Sequence, residues 1–141
     1  LLAFVALTYP AHAQTVGTKK VSAELAELYM NTALQSYGEL DYEKATLNAV
    51  LAATAFRYVR DVTREKMAEK LGARSQCKSA QMAFLEALST EKDYSAPREL
   101  LGDLLMEKTY IGVFCAEAGM LDVVDGIHKK YVEAVTRLKG K

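Results

Sequence analysis

Histidine, tryptophan, proline and cysteine are all scarce in this chain, and their scarcity limits its chemistry. The 141 residues include no tryptophan, two histidines, two prolines and two cysteines. One histidine, His12, falls in a segment interpreted below as a leader, so a catalytic histidine would have to be His128. No G-x-S-x-G sequence supports such a site, and a zinc site of ordinary composition needs more histidine and free cysteine. We therefore predict a non-enzymatic protein with no metal and no cofactor.

Net charge is also lacking, because 18 Lys and Arg residues balance 18 Asp and Glu residues. A protein that binds phosphate backbones usually carries a strong positive field. We therefore expect no binding to nucleic acid. Long apolar runs are missing as well, since the run at residues 1–7 is too short to cross a bilayer. We expect no transmembrane segment once the leader described next has been cleaved.

Residues 1–13 have the pattern of a secretory signal peptide that lacks its start. Pro10 follows the apolar run, and Ala11 and Ala13 stand three residues and one residue before a cleavage site at Gln14. We predict a signal peptide remnant at 1–13, a flexible N-terminus at 14–21, and a periplasmic or secreted protein. A buried N-terminal helix is the alternative. Export to an oxidising compartment favours paired cysteines.

The remaining residues, 22–141, are predicted to form a single all-α domain. They are rich in alanine, leucine, glutamate and lysine and contain one proline, a composition that favours helices. Apolar spacing predicts a compact bundle of about five helices, near 22–37, 42–71, 75–88, 97–118 and 120–138. Gly38 and Gly72 are predicted helix stops, with a break near Asp61 left open. On the first helix the predicted buried face contains Val21, Leu25, Leu28, Tyr29 and Thr32.

Cys77 and Cys115 are predicted to form a disulfide that staples a helical hairpin. Each lies about nineteen residues from the turn that ends at Pro97. Folding the chain back at that turn therefore brings the two thiols to the same height on neighbouring helices. Both fall on the apolar faces of their helices. Closing a loop of nearly forty residues contributes roughly 3.5 to 4 kcal/mol to stability in the chain-entropy model. The alternative is two reduced cysteines buried as small apolar side chains.

Arginine and tyrosine residues mark a candidate surface for a partner. Three arginines recur near Tyr58 on one side of the predicted second helix, a composition common at protein interfaces. Asp61 and Glu65 provide an alternative, in which the arginines are neutralised by their own helix. Two further tyrosines fall at predicted helix ends, where a ring can reach a partner. The candidate partner-binding residues are Arg57, Tyr58, Arg60, Arg64, Tyr37 and Tyr42.

The sequence D-Y-E-K-A at residues 41–45 resembles the turn into the second helix of a tetratricopeptide hairpin. The resemblance covers about thirty residues and has no second copy further along the chain. It implies a helical hairpin of the kind that builds peptide-binding grooves, and the alternative is an ordinary antiparallel hairpin with an acidic cap. Tyr29, Ala33 and Ala52 also match the family pattern, while Leu40, Ala49 and Arg57 depart from it.

Two pairs of carboxylates provide the one catalytic alternative. Asp103 and Glu107 are four residues apart, and Asp122 and Asp125 are three apart, so each pair shares a helix face. Paired acids hydrolyse glycosidic bonds when a cleft holds them and burial raises one pKa. The other interpretation of each pair is a solvated stripe.

Together these features favour an exported protein-binding module, such as an inhibitor, an immunity factor or an accessory subunit of an envelope complex. One alternative is a carrier for an apolar small molecule between the second, fourth and fifth helices. A carboxylate-dependent cell-wall hydrolase is the other. A deep apolar pocket would favour the carrier. An exposed surface of arginine and tyrosine would favour the binding module, and convergent buried carboxylates would favour the hydrolase.

Overall fold

A computed structural model describes residues 11–90 and 97–139 and confirms the all-α prediction. Five helices and no strand occur within these residues. The helices are α1 (Ala11–Gly38), α2 (Tyr42–Tyr58), α3 (Val62–Ser89), α4 (Pro97–Glu117) and α5 (Leu121–Lys139).

Backbone contacts divide the chain into two compact units, Leu1–Gly72 and Ala73–Lys141. The division falls inside α3, so the first unit contains α1, α2 and the start of α3. The second contains the rest of α3 with α4 and α5. The single domain predicted for residues 22–141 therefore includes both parts of α3.

The turns after α1, α2 and α4 share one geometry, in which the chain leaves the helix through a residue with positive φ. These residues are Leu40 (φ 65°), Arg60 (φ 61°) and Gly119 (φ 72°). The amide that follows each of them donates a hydrogen bond back to a carbonyl five residues earlier, as in a Schellman motif. The donor and acceptor pairs are Asp41 to Ser36, Asp61 to Phe56, and Met120 to Cys115, at 2.9, 2.9 and 2.8 Å.

An aspartate then starts the next helix at two of these turns. The Asp41 carboxylate accepts the Lys44 amide at 3.2 Å, and the Asp61 carboxylate accepts the Arg64 amide at 3.1 Å. These are N-caps, which satisfy amides that have no partner inside the helix. The predicted second helix, 42–71, is therefore divided at the break that was left open near Asp61: α2 ends at Tyr58, and a new helix begins after Asp61.

Gly72 was wrongly predicted to stop a helix, since α3 continues through it to Ser89. The glycine is buried, and a Cβ built on it would lie 3.5 Å from the Ala49 Cβ of α2. This is an ordinary van der Waals distance, so an alanine would also fit here, and the glycine costs about 1 kcal/mol in helix propensity relative to alanine.

The predicted flexible N-terminus at 14–21 is instead part of α1, which begins at Ala11. No proline interrupts this stretch, and the single Gly17 reduces helix stability by only about 1 kcal/mol. Residues 1–10 of the predicted signal peptide remnant lie outside the described residues. So do residues 91–96 of the loop predicted at 89–96, whose first residue, Ser89, is the last residue of α3.

Alanine forms most of the core of the first unit. Large apolar side chains on α1 point outward, contrary to prediction: Leu25 is exposed and Leu28 is 58% exposed. Ala26, Ala33 and Ser36 take the buried positions. Because interaxial distance depends on the side chains at the contact, alanine lets these helices pack closely. The buried apolar residues of this unit are Ala26, Ala33, Ala45, Ala49, Ala52, Ala53, Phe56, Ala68 and Leu71.

The second unit has a core of larger side chains and a covalent link. Cys77 on α3 and Cys115 on α4 form a disulfide with Cα atoms 4.6 Å apart, which confirms the stapled hairpin. Both cysteines are fully buried, in one cluster with apolar residues of α5. The buried residues are Cys77, Ala80, Phe84, Leu100, Leu104, Ile111, Cys115, Val123, Ile127, Ala134 and Leu138.

Replacing both cysteines by alanine should destabilise the second unit by about 4 kcal/mol, because the disulfide closes a loop with a sequence separation of 38. Hydrogen exchange measured by mass spectrometry should show faster exchange in α4 and α5. Exchange at residues 22–58 should stay unchanged and serves as the control. Unchanged exchange in α4 and α5 would contradict a stabilising role for the bond.

Leu40→Gly should stabilise the protein by about 0.5 to 1 kcal/mol, because glycine removes the steric cost of positive φ. Leu40 is 62% exposed, so the substitution sacrifices little burial. The matched control is Leu47→Gly, at a 60% exposed leucine inside α2, which should destabilise by about 1 kcal/mol. Urea unfolding followed by circular dichroism measures both, and equal destabilisation by the two variants would refute the strain at Leu40.

Candidate ligand groove

The three arginines predicted to share one helix face lie on three different elements. Arg57 is on α2, Arg60 is in the turn, and Arg64 is on α3, because the helix ends at Tyr58. They therefore do not share one face of a single helix.

Arg57 joins α2 to α3 through two carboxylates. Its Nε donates to Glu65 Oε2 at 3.2 Å, and its Nη2 donates to Glu69 Oε1 at 3.3 Å. The hydrogen bond to Glu65, the charge of Glu65 and the second bond to Glu69 raise the pKa of Arg57 above its ordinary value. The charge of Arg57 is therefore neutralised within the chain, as the alternative interpretation held. The two acids that neutralise it lie on the next helix and not on its own.

Arg64 joins α3 to α1. Its Nη1 donates to Glu27 Oε1 at 2.6 Å, and its Nε lies 3.5 Å from Asp61 Oδ2. The guanidinium also sits 5.9 Å from the centroid of the Phe56 ring, within the range of a cation–π contact. Arg64 is therefore held by one residue from α1, one from α2 and one from the preceding turn.

A cavity of about 270 Å³ lies beside this arginine, between α1 and α3 with α2 beneath. Buried Phe56 forms its floor, while Leu34 (52% exposed) and Met67 (55% exposed) form half-open walls. We call this cavity the α1–α3 groove. Its lining residues are Glu27, Met30, Asn31, Leu34, Phe56, Arg64 and Met67.

The groove has a polar end and an apolar end. Glu27 and Arg64 lie at one end, and Leu34 and Met67 follow further along the same two helices. Among these residues, only Arg64 was predicted from the sequence. The groove requires α3 to turn back beside α1, and the sequence left open whether Phe56 and Met67 belong to one helix or to two. The spacing of Met30 and Leu34 by four residues was the one available signal.

The charges around the groove are uneven. Glu27 and Asp61 provide two carboxylates to the single guanidinium of Arg64. Between residue 21 and its end at Gly38, α1 contains two glutamates, Glu24 and Glu27, and no lysine or arginine. The α1 side of the groove is therefore acidic.

The predicted tyrosines lie at opposite ends of α2. Tyr37 and Tyr42 meet edge to face at 5.3 Å and pack the α1–α2 turn. Tyr58 is exposed at the other end, roughly 24 Å along the helix axis. Beside it, Arg60 is exposed and makes no ion pair with any described residue.

The carboxylate pairs lack the burial that a hydrolase needs. Asp103, Asp122 and Asp125 are exposed, and Glu107 is half-buried. In the ranges that the structure describes, no three histidine, cysteine or acidic residues are grouped to hold a metal. His128 is exposed on α5. No helix among the described residues combines the length and apolarity needed to cross a membrane.

The Glu27–Arg64 ion pair should couple α1 to α3 by about 0.2 to 1 kcal/mol at low salt, since both side chains are half exposed. A double-mutant cycle with Glu27→Gln and Arg64→Gln, measured by urea unfolding, isolates this term from the other contacts of Arg64. Raising the salt concentration to about 1 M should reduce the coupling. Glu43→Gln, at the far end of α2, should show no coupling to Arg64→Gln. A zero coupling for Glu27 at low salt would mean that the pair is not formed in solution.

The tetratricopeptide resemblance stays a prediction. Its aspartate caps α2 at Asp41, and its small residues Ala33 and Ala52 are buried. Leu40, which stands where the family has glycine, adopts the positive φ that glycine favours. No protein-family model matches this sequence, and searches of curated proteins and of solved structures found no match.

Proposed function

We propose that this chain is an exported, non-enzymatic protein-binding module that recognises its partner through the α1–α3 groove. The groove itself is the observation that carries the proposal: an open apolar depression with an ion pair at one end. Hydrophobic centres with a polar edge are typical of protein recognition sites. An inhibitor, an immunity factor and an accessory subunit of an envelope complex are all proteins that act by such binding.

The openness of the groove favours a protein over a small molecule. Small-molecule sites usually enclose most of the ligand surface in about 300 to 1,000 Å³. This cavity is about 270 Å³ and two of its walls are half exposed. It has room for one large side chain of a partner, with the rest of the partner lying over the outward leucines of the unit.

Export is supported by the buried disulfide of the second unit, since disulfides persist mainly in oxidising compartments. The signal peptide pattern at residues 1–13 is the second line of support. Both features support the proposed periplasmic or secreted location.

A carrier for an apolar small molecule is the second candidate, because four of the groove residues are apolar. The position differs from the one expected for a carrier, which lay between the second, fourth and fifth predicted helices. Native mass spectrometry of the purified protein distinguishes this candidate, because a carrier retains a bound small molecule.

Filling the groove should weaken partner binding. Leu34→Phe places a ring in the cavity, and Leu47→Phe makes the same change at an equally exposed leucine outside it. Immobilised wild-type and variant proteins are incubated with an extracytoplasmic extract of the source cells, and retained proteins are quantified by mass spectrometry. A true partner should be retained by the wild type and Leu47→Phe, with about tenfold less on Leu34→Phe.

Calorimetry with the purified partner then checks that the interaction is direct. If Leu34→Phe retains every protein as well as Leu47→Phe does, the groove is not the recognition site. A small molecule that co-purifies with the wild type and is lost from Leu34→Phe would establish the carrier instead.

A further inference from the structure

We propose that the partner presents an apolar side chain together with a lysine or arginine about one helical turn away. The apolar side chain occupies the α1–α3 groove, and the basic group binds the Glu27 carboxylate. This inference rests on the proposed protein-binding function and adds the chemistry of the partner.

The polar end of the groove selects for a cation because its own charges do not cancel. Arg64 contacts both Glu27 and Asp61, which leaves one carboxylate charge in excess. Only Oε1 of Glu27 accepts the Arg64 guanidinium, and no described residue donates to Oε2. The Glu27 side chain is also more than half exposed. A lysine or arginine of the partner can therefore bind Oε2 without breaking an existing contact.

An acidic group of the partner would be repelled at this end of the groove. The only cation that lines the groove is Arg64, which already has two carboxylate neighbours. An incoming carboxylate would have to displace Glu27 or Asp61 and would face the repulsion of the other. The acidic α1 wall, with Glu24 one turn before Glu27, adds to this repulsion.

The apolar end suits an aliphatic or aromatic side chain. Met30, Leu34 and Met67 surround it, and methionine adapts to ligands of different shape because its side chain is unbranched and polarisable. Glu27 is one helical turn from Met30 and Asn31, or roughly 5 Å along the axis of α1. This spacing matches two side chains that are three or four residues apart on a partner helix.

Methionine methyl groups make the proposal testable by NMR. The chain has five methionines, of which Met30 and Met67 line the groove. Met82, Met106 and Met120 belong to the second unit and serve as internal controls. The probes are a capped alanine-based helical peptide of about 15 residues with leucine and lysine four apart, and the same peptide with glutamate in place of lysine.

The lysine peptide should shift the Met30 and Met67 methyl signals saturably, with an affinity at least about tenfold higher than that of the glutamate peptide. Glu27→Gln should abolish this preference, because it removes the excess carboxylate and leaves Arg64 with one acidic neighbour. The matched variant Glu133→Gln, on α5 and not among the groove residues, should preserve it. Salt of about 0.5 M should reduce the preference, since the contact is exposed.

Equal affinity of the two peptides at Met30 and Met67 would overturn the basic partner while leaving the groove as a recognition site. A preference that survives Glu27→Gln would also overturn it, because the cation would then be bound elsewhere. Shifts limited to Met82, Met106 and Met120, or no shifts at all, would overturn both this inference and the groove proposed for function.

Discussion

The turn at Arg60 and Asp61 is the constraint on which the first unit depends. A left-handed residue followed by a capping aspartate ends α2 and starts α3 within three residues. The reversal places Arg57 opposite Glu65 and Glu69, and places Arg64 opposite Glu27 on α1. Without it, neither the ion pairs nor the α1–α3 groove would exist, because their residues would be spread along one continuous helix.

The two units achieve stability by different means. The first brings helix backbones close with alanine and adds exposed ion pairs, each of which contributes at most about 1 kcal/mol. The second buries large side chains around a disulfide. Close packing of small residues leaves leucine, valine and methionine on the outside of the first unit, including Leu28, Leu47 and Met67.

Local signals allowed part of this fold to be predicted. Pro97, Gly119 and the cap at Asp41 mark their helix ends through backbone chemistry that acts within a few residues. Asp61 was ambiguous because the residues that follow it suit both a helix interior and a helix start. On α1, alanine and leucine form two stripes, and periodicity cannot show which stripe faces inward. The groove could not be predicted because it combines residues from three helices whose arrangement depends on that turn.

The alanine core has a consequence for how the groove can vary. Its walls stand on α1 and α3, and the distance between those helices is set by methyl groups such as those of Ala26, Ala52 and Ala68 beneath them. The width of the groove therefore depends on the size of the buried side chains. Substitutions on the walls alter which side chain is preferred, whereas a single added methylene in the interior would spread both helices and alter the size of everything that fits.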